Sequence, residues 1–385
     1  MRPARLPILA WAAILLIIPI LAWANYRLTV NLGEGDGILN EWTVQQGLLV
    51  PSSDGRSEEN EVAIERSFVR YPLPTLLAQG AMGLLPYSVV RTGWMTILSV
   101  AMVTGAFVGF AAADWKPSIR MLAFAAIVSL ATYHALRGIV EGHFAVAQGL
   151  LMLGGLVAFQ RRQDELAGLA FALSVSDPWM AAIVLPFVLL YAGRKRRWVV
   201  VTWTSAGIAA IFIVSILLDP GWPRRWIVGM VAPQAPSLAV SLPATLSDTF
   251  FRGSRALMWA LIGILVVYMI REWTKSLGKD DHWFLWAAAL TVAIAAILVP
   301  SSSPSAYLVL FPILTFVIGL AVQRWGKTGR IGGAFLLAIV LIASWILAVS
   351  SGGADLALRL LLPGFAAAGL LWMRWWSTRT YQLPD

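Results

Sequence analysis

The chain of 385 residues contains no cysteine, which excludes disulfides, thiolate metal sites and cysteine nucleophiles. Charged residues are also scarce, at 13% of the sequence, whereas an ordinary soluble domain carries about a quarter. A water-soluble chain of this length needs far more polar surface to cover its core. The apolar residues, 59% of the total, occur in runs long enough to cross a hydrocarbon core of about 30 Å. The sequence therefore predicts an all-α, polytopic membrane protein that forms a single integral membrane domain over 1–385.

Apolar runs bounded by polar and aromatic residues predict about ten full spans. These are 6–24, 90–113, 119–136, 144–160, 198–218, 256–271, 284–299, 306–322, 332–350 and 356–374. Arg2 and Arg5 ahead of the first run are also compatible with a cleavable signal, but the run is longer than a signal core. A retained first span is therefore expected.

The segment 166–192 is long enough to cross, but Asp177 and Pro178 interrupt it in the middle. An acidic residue before a proline is a helix-start signal, so two shorter helices are expected rather than one. Basic residues at 161–162 precede the segment and a basic run at 194–197 follows it. Because the positive-inside rule places both clusters in the cytoplasm, the segment is predicted to enter and return as a re-entrant hairpin.

Ten spans and a hairpin place both termini on the cytoplasmic side of the cell membrane. This topology assigns 18 basic and 7 acidic residues to cytoplasmic segments, and 11 and 13 to outer ones. All five lysines fall inside. The net charge of +9 is thus explained by topology, and no nucleic-acid partner is expected.

The predicted outer face carries two long loops. The first, 25–72, contains eight of the acidic residues and leads into an apolar stretch, 73–86. That stretch would be about 20 Å long as a helix, too short to span, so it is predicted to lie in the outer interface. The second, 219–255, is rich in Pro, Trp and Arg. Long loops of this kind are usually functional or disordered.

Glu34, Gly35 and Asp36 form an acidic turn just beyond the first span, with Glu41 close behind. A carboxylate at the membrane surface can take a proton from an acceptor hydroxyl and so act as a general base. The glycine allows close approach of a substrate. A solvated acidic turn without a catalytic role is the alternative, and it stays open at this point.

Arg137, Glu141 and His143 fall in a short predicted outer turn between two spans. The planar guanidinium of arginine suits phosphate oxygens. Arg137 and Glu141 could equally neutralise each other. Asp177 has two interpretations as well: it is either the cap of the second hairpin helix or a polar group at the tip, where broken helices tend to meet ligands.

Arginines in outer segments are exceptions to the positive-inside rule. Three of them, Arg224, Arg225 and Arg252, lie next to Trp222 and Phe251 in the sequence. This pairing of cations with aromatic residues suits an anionic substrate headgroup or lipid phosphate. The alternative is contact with the phospholipids of the membrane itself.

Arg359 is the one clear charge inside a predicted span. Intramembrane ionisable groups are functional candidates by default. Asp355 lies four residues earlier on the same helical face, so a local ion pair is the simpler expectation.

A series of short motifs resembles the GT-C superfamily of polyprenyl-phosphate-sugar-dependent glycosyltransferases, specifically the GT87 group. The resemblance runs through most of the chain and depends on the order of the motifs. They are Glu34-Gly35-Asp36, Tyr71-Pro72-Leu73-Pro74 through Leu85-Pro86, the stretch Leu166 to Leu173 with Asp177-Pro178, and Ser303-Pro304-Ser305-Ala306-Tyr307.

The resemblance implies a GT-C-like bundle and an inverting transfer of a sugar, with mannose as the best-known case, from a polyprenyl-phosphate donor. The acceptor would be a lipid or glycan on the outer face. Asp36 would be the general base, with Glu34 as second choice, and no cofactor or metal is expected. The implied substrate-binding residues are Glu41, Tyr71, Arg137, Glu141, His143, Arg224, Arg225, Arg252 and Tyr307.

Two other classes of protein fit the same composition. A transporter or flippase for lipid-linked glycans would use no chemistry of its own, but such proteins tend to show internal repeats and ionisable groups near the midplane. This sequence has no evident repeat and concentrates its charges in outer loops. A scaffold subunit that keeps the fold without activity is the third possibility.

Overall fold

A computed structural model describes residues 8–32, 42–43, 45, 73–74, 82–231, 241–301, 303–350 and 354–377. It is all-helical, with 88% helix and no strand among these residues. The helices are α1 (Ile8–Leu32), α2 (Tyr87–Ala112), α3 (Ile119–Ala131), α4 (Tyr133–Val140), α5 (Ala145–Gln160), α6 (Asp164–Leu173), α7 (Pro178–Arg194), α8 (Trp198–Leu218), α9 (Trp222–Val231), α10 (Leu242–Phe251), α11 (Arg255–Ser276), α12 (Asp281–Leu298), α13 (Phe311–Trp325), α14 (Lys327–Val349) and α15 (Ala354–Ser377). Three 3-10 segments join them: Met82–Leu84, Ser174–Ser176 and Pro304–Leu310.

Seven helical segments in the described part of the chain are long and apolar enough to cross a membrane, or eight if one bent pair counts as a single span. The multi-pass prediction therefore holds at this level. The set does not include α1 or α5, which were both predicted as spans. At 16 residues, α5 is about 24 Å long, shorter than the hydrocarbon core.

The predicted third span, 119–136, is broken in the structure. Thr132 ends α3 with an extended backbone, and its hydroxyl accepts a hydrogen bond from the Ala135 N–H at 3.3 Å, which caps α4. The chain bends by 59° at this point. A threonine that caps a new helix explains the bend, because it satisfies an N–H group that the break exposes.

Burial separates a core from a periphery. In an apolar 18-residue window of Pro304–Trp325, 83% of the window is buried inside the protein, and in that of α12 the share is 78%. The same share is only 11% in α11 and 17% in α8. A helix that is apolar all round and poorly covered by protein presents its side chains to lipid. We therefore interpret α8 and α11 as lipid-facing helices around a centre formed by α12 and α13.

The segment 164–197 has the two-helix form expected from Asp177 and Pro178. Asp177 caps α7 through the Met180 N–H at 3.1 Å. At the base of the segment, Arg197 forms an ion pair with Asp164, so the chain starts and ends this excursion at the same end of the bundle. The tip is held by Gln148 of α5, whose amide donates to the Ser174 carbonyl at 2.9 Å.

Ends that were predicted to be cytoplasmic contact one another. Arg162 pairs with Asp281 at 3.5 Å, and the Tyr191 hydroxyl donates to the same carboxylate at 3.1 Å. Arg374 of α15 donates to Glu272 of α11 at 2.9 Å. These contacts gather the corresponding helix ends at one end of the bundle, as the topology requires.

The two predicted long loops are described to different extents. Most of the first loop, 25–72, lies outside the described residues, but 25–32 are helical, because α1 continues past the predicted end of the first span. Half of the stretch 73–86 is described, and this part includes the 3-10 segment Met82–Leu84. The second loop, 219–255, is not an open loop, because it contains α9 and α10.

Candidate functional site

The bend at Thr132 places two predicted site residues at the end of a short helix. Arg137 lies in α4, not in a turn as predicted, and Glu141 is the residue that ends this helix. The Arg137 Nε donates to Glu141 Oε1 at 2.5 Å, and its Nη1 donates to the Tyr133 hydroxyl at 3.3 Å. All three side chains lie one helical turn apart, so the local fold of α4 alone assembles them.

A distant turn completes the environment of Glu141. Ser303 and Ser305 both donate to Glu141 Oε2, at 3.2 and 2.9 Å. Their positions are set by the 3-10 segment that starts at Pro304, because the Ser303 hydroxyl accepts from the Ser305 N–H at 3.3 Å. We call Arg137, Glu141, Ser303 and Ser305 the Glu141 cluster.

The hydrogen bonds of the Glu141 cluster determine the charge of its carboxyl. Burial alone would raise the pKa of Glu141, but hydrogen bonds from Arg137 and Ser305 outweigh this effect and leave the pKa below its usual value. Glu141 is therefore ionised at neutral pH, and both of its oxygens accept hydrogen bonds. Such a carboxylate is a weak proton acceptor, so its role is to orient Arg137 and the serine turn.

Arg359 in α15 is buried, with 6% of its surface exposed. Its Nη1 donates to Thr245 Oγ1 of α10 at 3.2 Å, and its Nη2 donates to the Ser301 carbonyl. The contacts observed for this guanidinium in the described residues differ from the predicted ion pair with Asp355, because they come from other elements of the fold. Contacts from α10 and from the backbone that follows α12 hold the guanidinium.

Two contacts connect Arg359 to the Glu141 cluster. The first is the chain itself, because Ser301 binds Arg359 and Ser303, two residues later, binds Glu141. The second is His134 of α4, whose Nε2 lies 2.9 Å from the Leu358 carbonyl, next to Arg359. A carbonyl only accepts, so Nε2 carries the proton. Three elements, α4, the serine turn and the first turns of α15, therefore meet at one end of the bundle.

Tyr307 is a predicted site residue that lies next to this region. It is fully buried in the Pro304–Leu310 segment. Its hydroxyl interacts electrostatically with the guanidinium of Arg359. The small residue Gly138 of α4 permits this packing, since a Cβ there would collide with Leu308 at 2.5 Å.

His143 follows Glu141 by two residues, and its Nδ1 accepts a hydrogen bond from the Ala145 N–H at 3.3 Å. The turn that holds it is fixed on α2, where the Trp94 indole N–H donates to the Gly142 carbonyl at 2.9 Å and the Trp94 ring stacks on Phe144. One turn before Trp94 lies Arg91, which is 2% exposed. Sequence reasoning missed Arg91, because it lies in the first turn of a predicted span, and a charge at that position usually marks the end of the membrane-spanning segment.

The outer arginines of the second loop do not join the Glu141 cluster. Arg225 pairs with Asp219, and Arg224 is exposed on α9. Arg252 is exposed where α10 ends, in the left-handed region with φ 53°. The contribution of this loop to the site is Thr245, which the sequence did not single out.

Four predicted site residues, Glu34, Asp36, Glu41 and Tyr71, lie outside the described residues. The assignment of Asp36 as base and the binding roles of the other three thus stay predictions. Among the described residues there is no group of three or more His, Asp or Glu side chains that could hold a metal ion.

No protein-family model matches the chain, and no curated protein matches it. The functional argument therefore depends on the chemistry of the site and on the resemblance in the order of the motifs.

Proposed function

We propose that this chain is an inverting membrane glycosyltransferase that moves a sugar, with mannose as the first candidate, from a polyprenyl-phosphate donor to a lipid or glycan acceptor. In this proposal the bundle has about ten spans, a re-entrant hairpin at 166–192 and the architecture of the GT-C superfamily. Both termini are cytoplasmic, and the reaction takes place at the outer face of the cell membrane.

The observation that carries the proposal is the buried guanidinium of Arg359 at the end of the bundle that holds the Glu141 cluster. Thr245 and Ser301 hold two of its N–H groups, so the orientation of the fork is fixed. Arginine presents five N–H donors in a plane, which suits the oxygens of a phosphate. In the proposal, the phosphate of the lipid-borne sugar binds this group where the irregular backbone at Ser301 lies beside it, since such backbone at membrane depth is permitted where it lines a cavity.

The Glu141 cluster supports the same proposal in a second role. Arg137 is neutralised by Glu141, so it is a weaker phosphate ligand than a free arginine. The serine hydroxyls and the Arg137 fork instead form a fixed polar surface beside Arg359. Such a surface suits the hydroxyl groups of a sugar, because the hydrogen bonds among the protein side chains hold each of them in a fixed orientation.

The proposed reaction balances without a further reagent. The acceptor hydroxyl attacks the anomeric carbon, and the bond between that carbon and the phosphate oxygen breaks. Polyprenyl phosphate leaves with the electron pair, and the hydroxyl proton passes to Asp36. Attack opposite the leaving group inverts the configuration. Arg359 stabilises the negative charge that develops on the phosphate.

A transfer assay tests the proposal. Purified protein is given radiolabelled polyprenyl-phosphate mannose or glucose with a membrane lipid extract, and compared with Asp36→Asn and Asp36→Ala. Loss of a general base lowers the rate by about 10²–10⁴-fold. Asp54→Asn, in the same acidic loop, is the matched control and should keep full transfer.

Three outcomes contradict the assignment. Transfer that survives both Asp36 variants removes this residue as the base. Donor that crosses liposome membranes without any transfer indicates the flippase. A product with retained anomeric configuration excludes the single displacement.

A further inference from the structure

Two turns at the base of the 164–197 segment share one unusual geometry. Arg162 follows α5 and Arg196 follows α7, and both adopt the left-handed backbone region, with φ of 61° and 57°. In each turn the next residue closes the helix: the Gln163 N–H donates to the Ala158 carbonyl and the Arg197 N–H to the Ala192 carbonyl, both at 2.9 Å. This is the Schellman ending of a helix.

Glycine is the usual residue at this position, because any Cβ is crowded in the left-handed region. Arginine therefore makes each helix ending less stable than glycine would. The same substitution of arginine for glycine occurs in both turns, although their sequences are otherwise different. Asp114 and Arg252 also adopt the left-handed region, but the turns at Arg162 and Arg196 differ from these because both lie at the base of one segment.

Arg197 brings the two turns side by side. It pairs with Asp164 through Nη2, donates to the Phe159 carbonyl through Nη1 at 2.6 Å, and stacks on the Phe159 ring at 3.6 Å. The remaining cations of both turns are exposed, and we call them the basic hairpin base: Arg161, Arg162, Arg194, Lys195 and Arg196.

Four acids, Asp164, Glu165, Asp280 and Asp281, lie near the five exposed cations and Arg197. Asp164 forms an ion pair with Arg197. Asp281 pairs with Arg162 at 3.5 Å and also accepts a hydrogen bond from the Tyr191 hydroxyl. Within the described part of the chain, the side chains of Arg161, Arg194 and Arg196 have no hydrogen bond or ion pair. The surface thus carries an excess of positive charge.

Exposed apolar side chains lie within about one helical turn of these cations. Leu166 of α6 is 56% exposed, Leu190 of α7 is 54% exposed and Trp198 of α8 is 61% exposed. The Trp198 ring packs next to Gly193, directly before Arg194. Cations next to exposed apolar side chains that include a tryptophan are the arrangement that a lipid headgroup and its acyl chains require, and we call Leu166, Leu190 and Trp198 the apolar wall.

We propose that the basic hairpin base is a binding site for an anionic glycerophospholipid. Its phosphate lies between the two turns, and its acyl chains cover the wall at Leu166, Leu190 and Trp198. An acidic protein segment would satisfy the charge but would leave this wall uncovered, so the lipid is favoured. The site is independent of sugar transfer.

Native mass spectrometry of the detergent-purified full chain tests this site with phosphatidylglycerol and with phosphatidylcholine of the same acyl chains. The test variant is Arg162→Gly with Arg196→Gly, which removes two charges and relieves both strained turns. Each basic residue near an anionic headgroup contributes roughly fivefold in affinity. Retained phosphatidylglycerol should fall about 25-fold by the same reasoning, while the unfolding temperature in neutral detergent stays equal or rises.

The charge-matched control is Arg120→Gln with Arg330→Gln, two exposed arginines elsewhere on the bundle. It should retain phosphatidylglycerol at the wild-type level. Should the glycine variant fail to fold, Arg161→Gln with Lys195→Gln removes the same charge without a change at the strained positions. Equal retention in test and control variants, or equal retention of phosphatidylcholine, overturns the proposal. Displacement of the lipid by glycerol phosphate as efficiently as by free phosphatidylglycerol overturns it as well.

Discussion

Glu141 accepts a hydrogen bond of 2.9 Å from the Ser305 hydroxyl, although 164 positions separate the two residues. This contact joins the end of α4 to the turn before α13. It also explains why the Arg137–Glu141 pair has a single orientation, since the other carboxylate oxygen is held by the serine turn. The first prediction concerns this carboxylate.

Glu141→Gln should make the protein less stable at neutral pH, and the difference from wild type should vanish in acid. The pKa of Glu141 is lowered in the folded state, so its contribution is fully present above the unfolded pKa, for which the reference value is 4.5. The contribution is lost as pH falls through the lower folded pKa. Because the pair is partly exposed, we expect about 1 kcal/mol.

Thermal unfolding of both proteins between pH 3 and 8 measures this difference. Glu165→Gln, at an exposed residue, is the control and should follow the wild type throughout. A gap between wild type and Glu141→Gln that widens as the pH falls would contradict the account of the cluster.

Arg197→Gln should destabilise the protein far more than the neighbouring Arg161→Gln. The side chain of Arg197 is 5% exposed, and its ion pair with Asp164 closes the base of the hairpin. Removal of one partner of a buried pair typically costs about 3–5 kcal/mol. Since Asp164 is partly exposed, the lower end is expected. Unfolding in neutral detergent measures both variants, and equal losses would show that the hairpin base does not depend on this pair.

Arg359→Gln should raise the apparent KM for the polyprenyl-phosphate donor and lower kcat, because in the proposed reaction the lost charge faces the phosphate in the ground state and in the transition state. Arg137→Ala should raise the donor KM by a smaller factor, since Glu141 already balances its charge. Steady-state kinetics with donor and acceptor varied separately make this comparison. A larger effect of Arg359→Gln on acceptor KM would assign Arg359 to the acceptor instead.

Local signals predicted the parts of this fold that depend on neighbouring residues. Asp177 before Pro178 marked the start of α7, and the basic residues on either side of 166–192 indicated that both ends share one side. The bend at Thr132 was missed, because a single threonine within an apolar run is a weak signal. The helices α9 and α10 were missed because prolines recur throughout their segment.

The site itself could be predicted only in part. Arg137 and Glu141 are one turn apart, so their pairing followed from helical geometry. Helical spacing predicted Asp355 as the partner of Arg359. In the structure, Arg359 donates hydrogen bonds to Thr245 and Ser301, which belong to other elements. Contacts across 114 and 58 positions leave no local pattern in one sequence.

The most direct test of the account asks whether the predicted base and the described cluster face the same compartment. The chain has no cysteine, so Asp36→Cys and Ser303→Cys each carry a single thiol. In intact cells, both should react with a membrane-impermeant maleimide, whereas Lys195→Cys should react only after the membrane is opened. Labelling of position 36 only after permeabilisation, with position 303 labelled from outside, would separate the base from the cluster and contradict the proposed site.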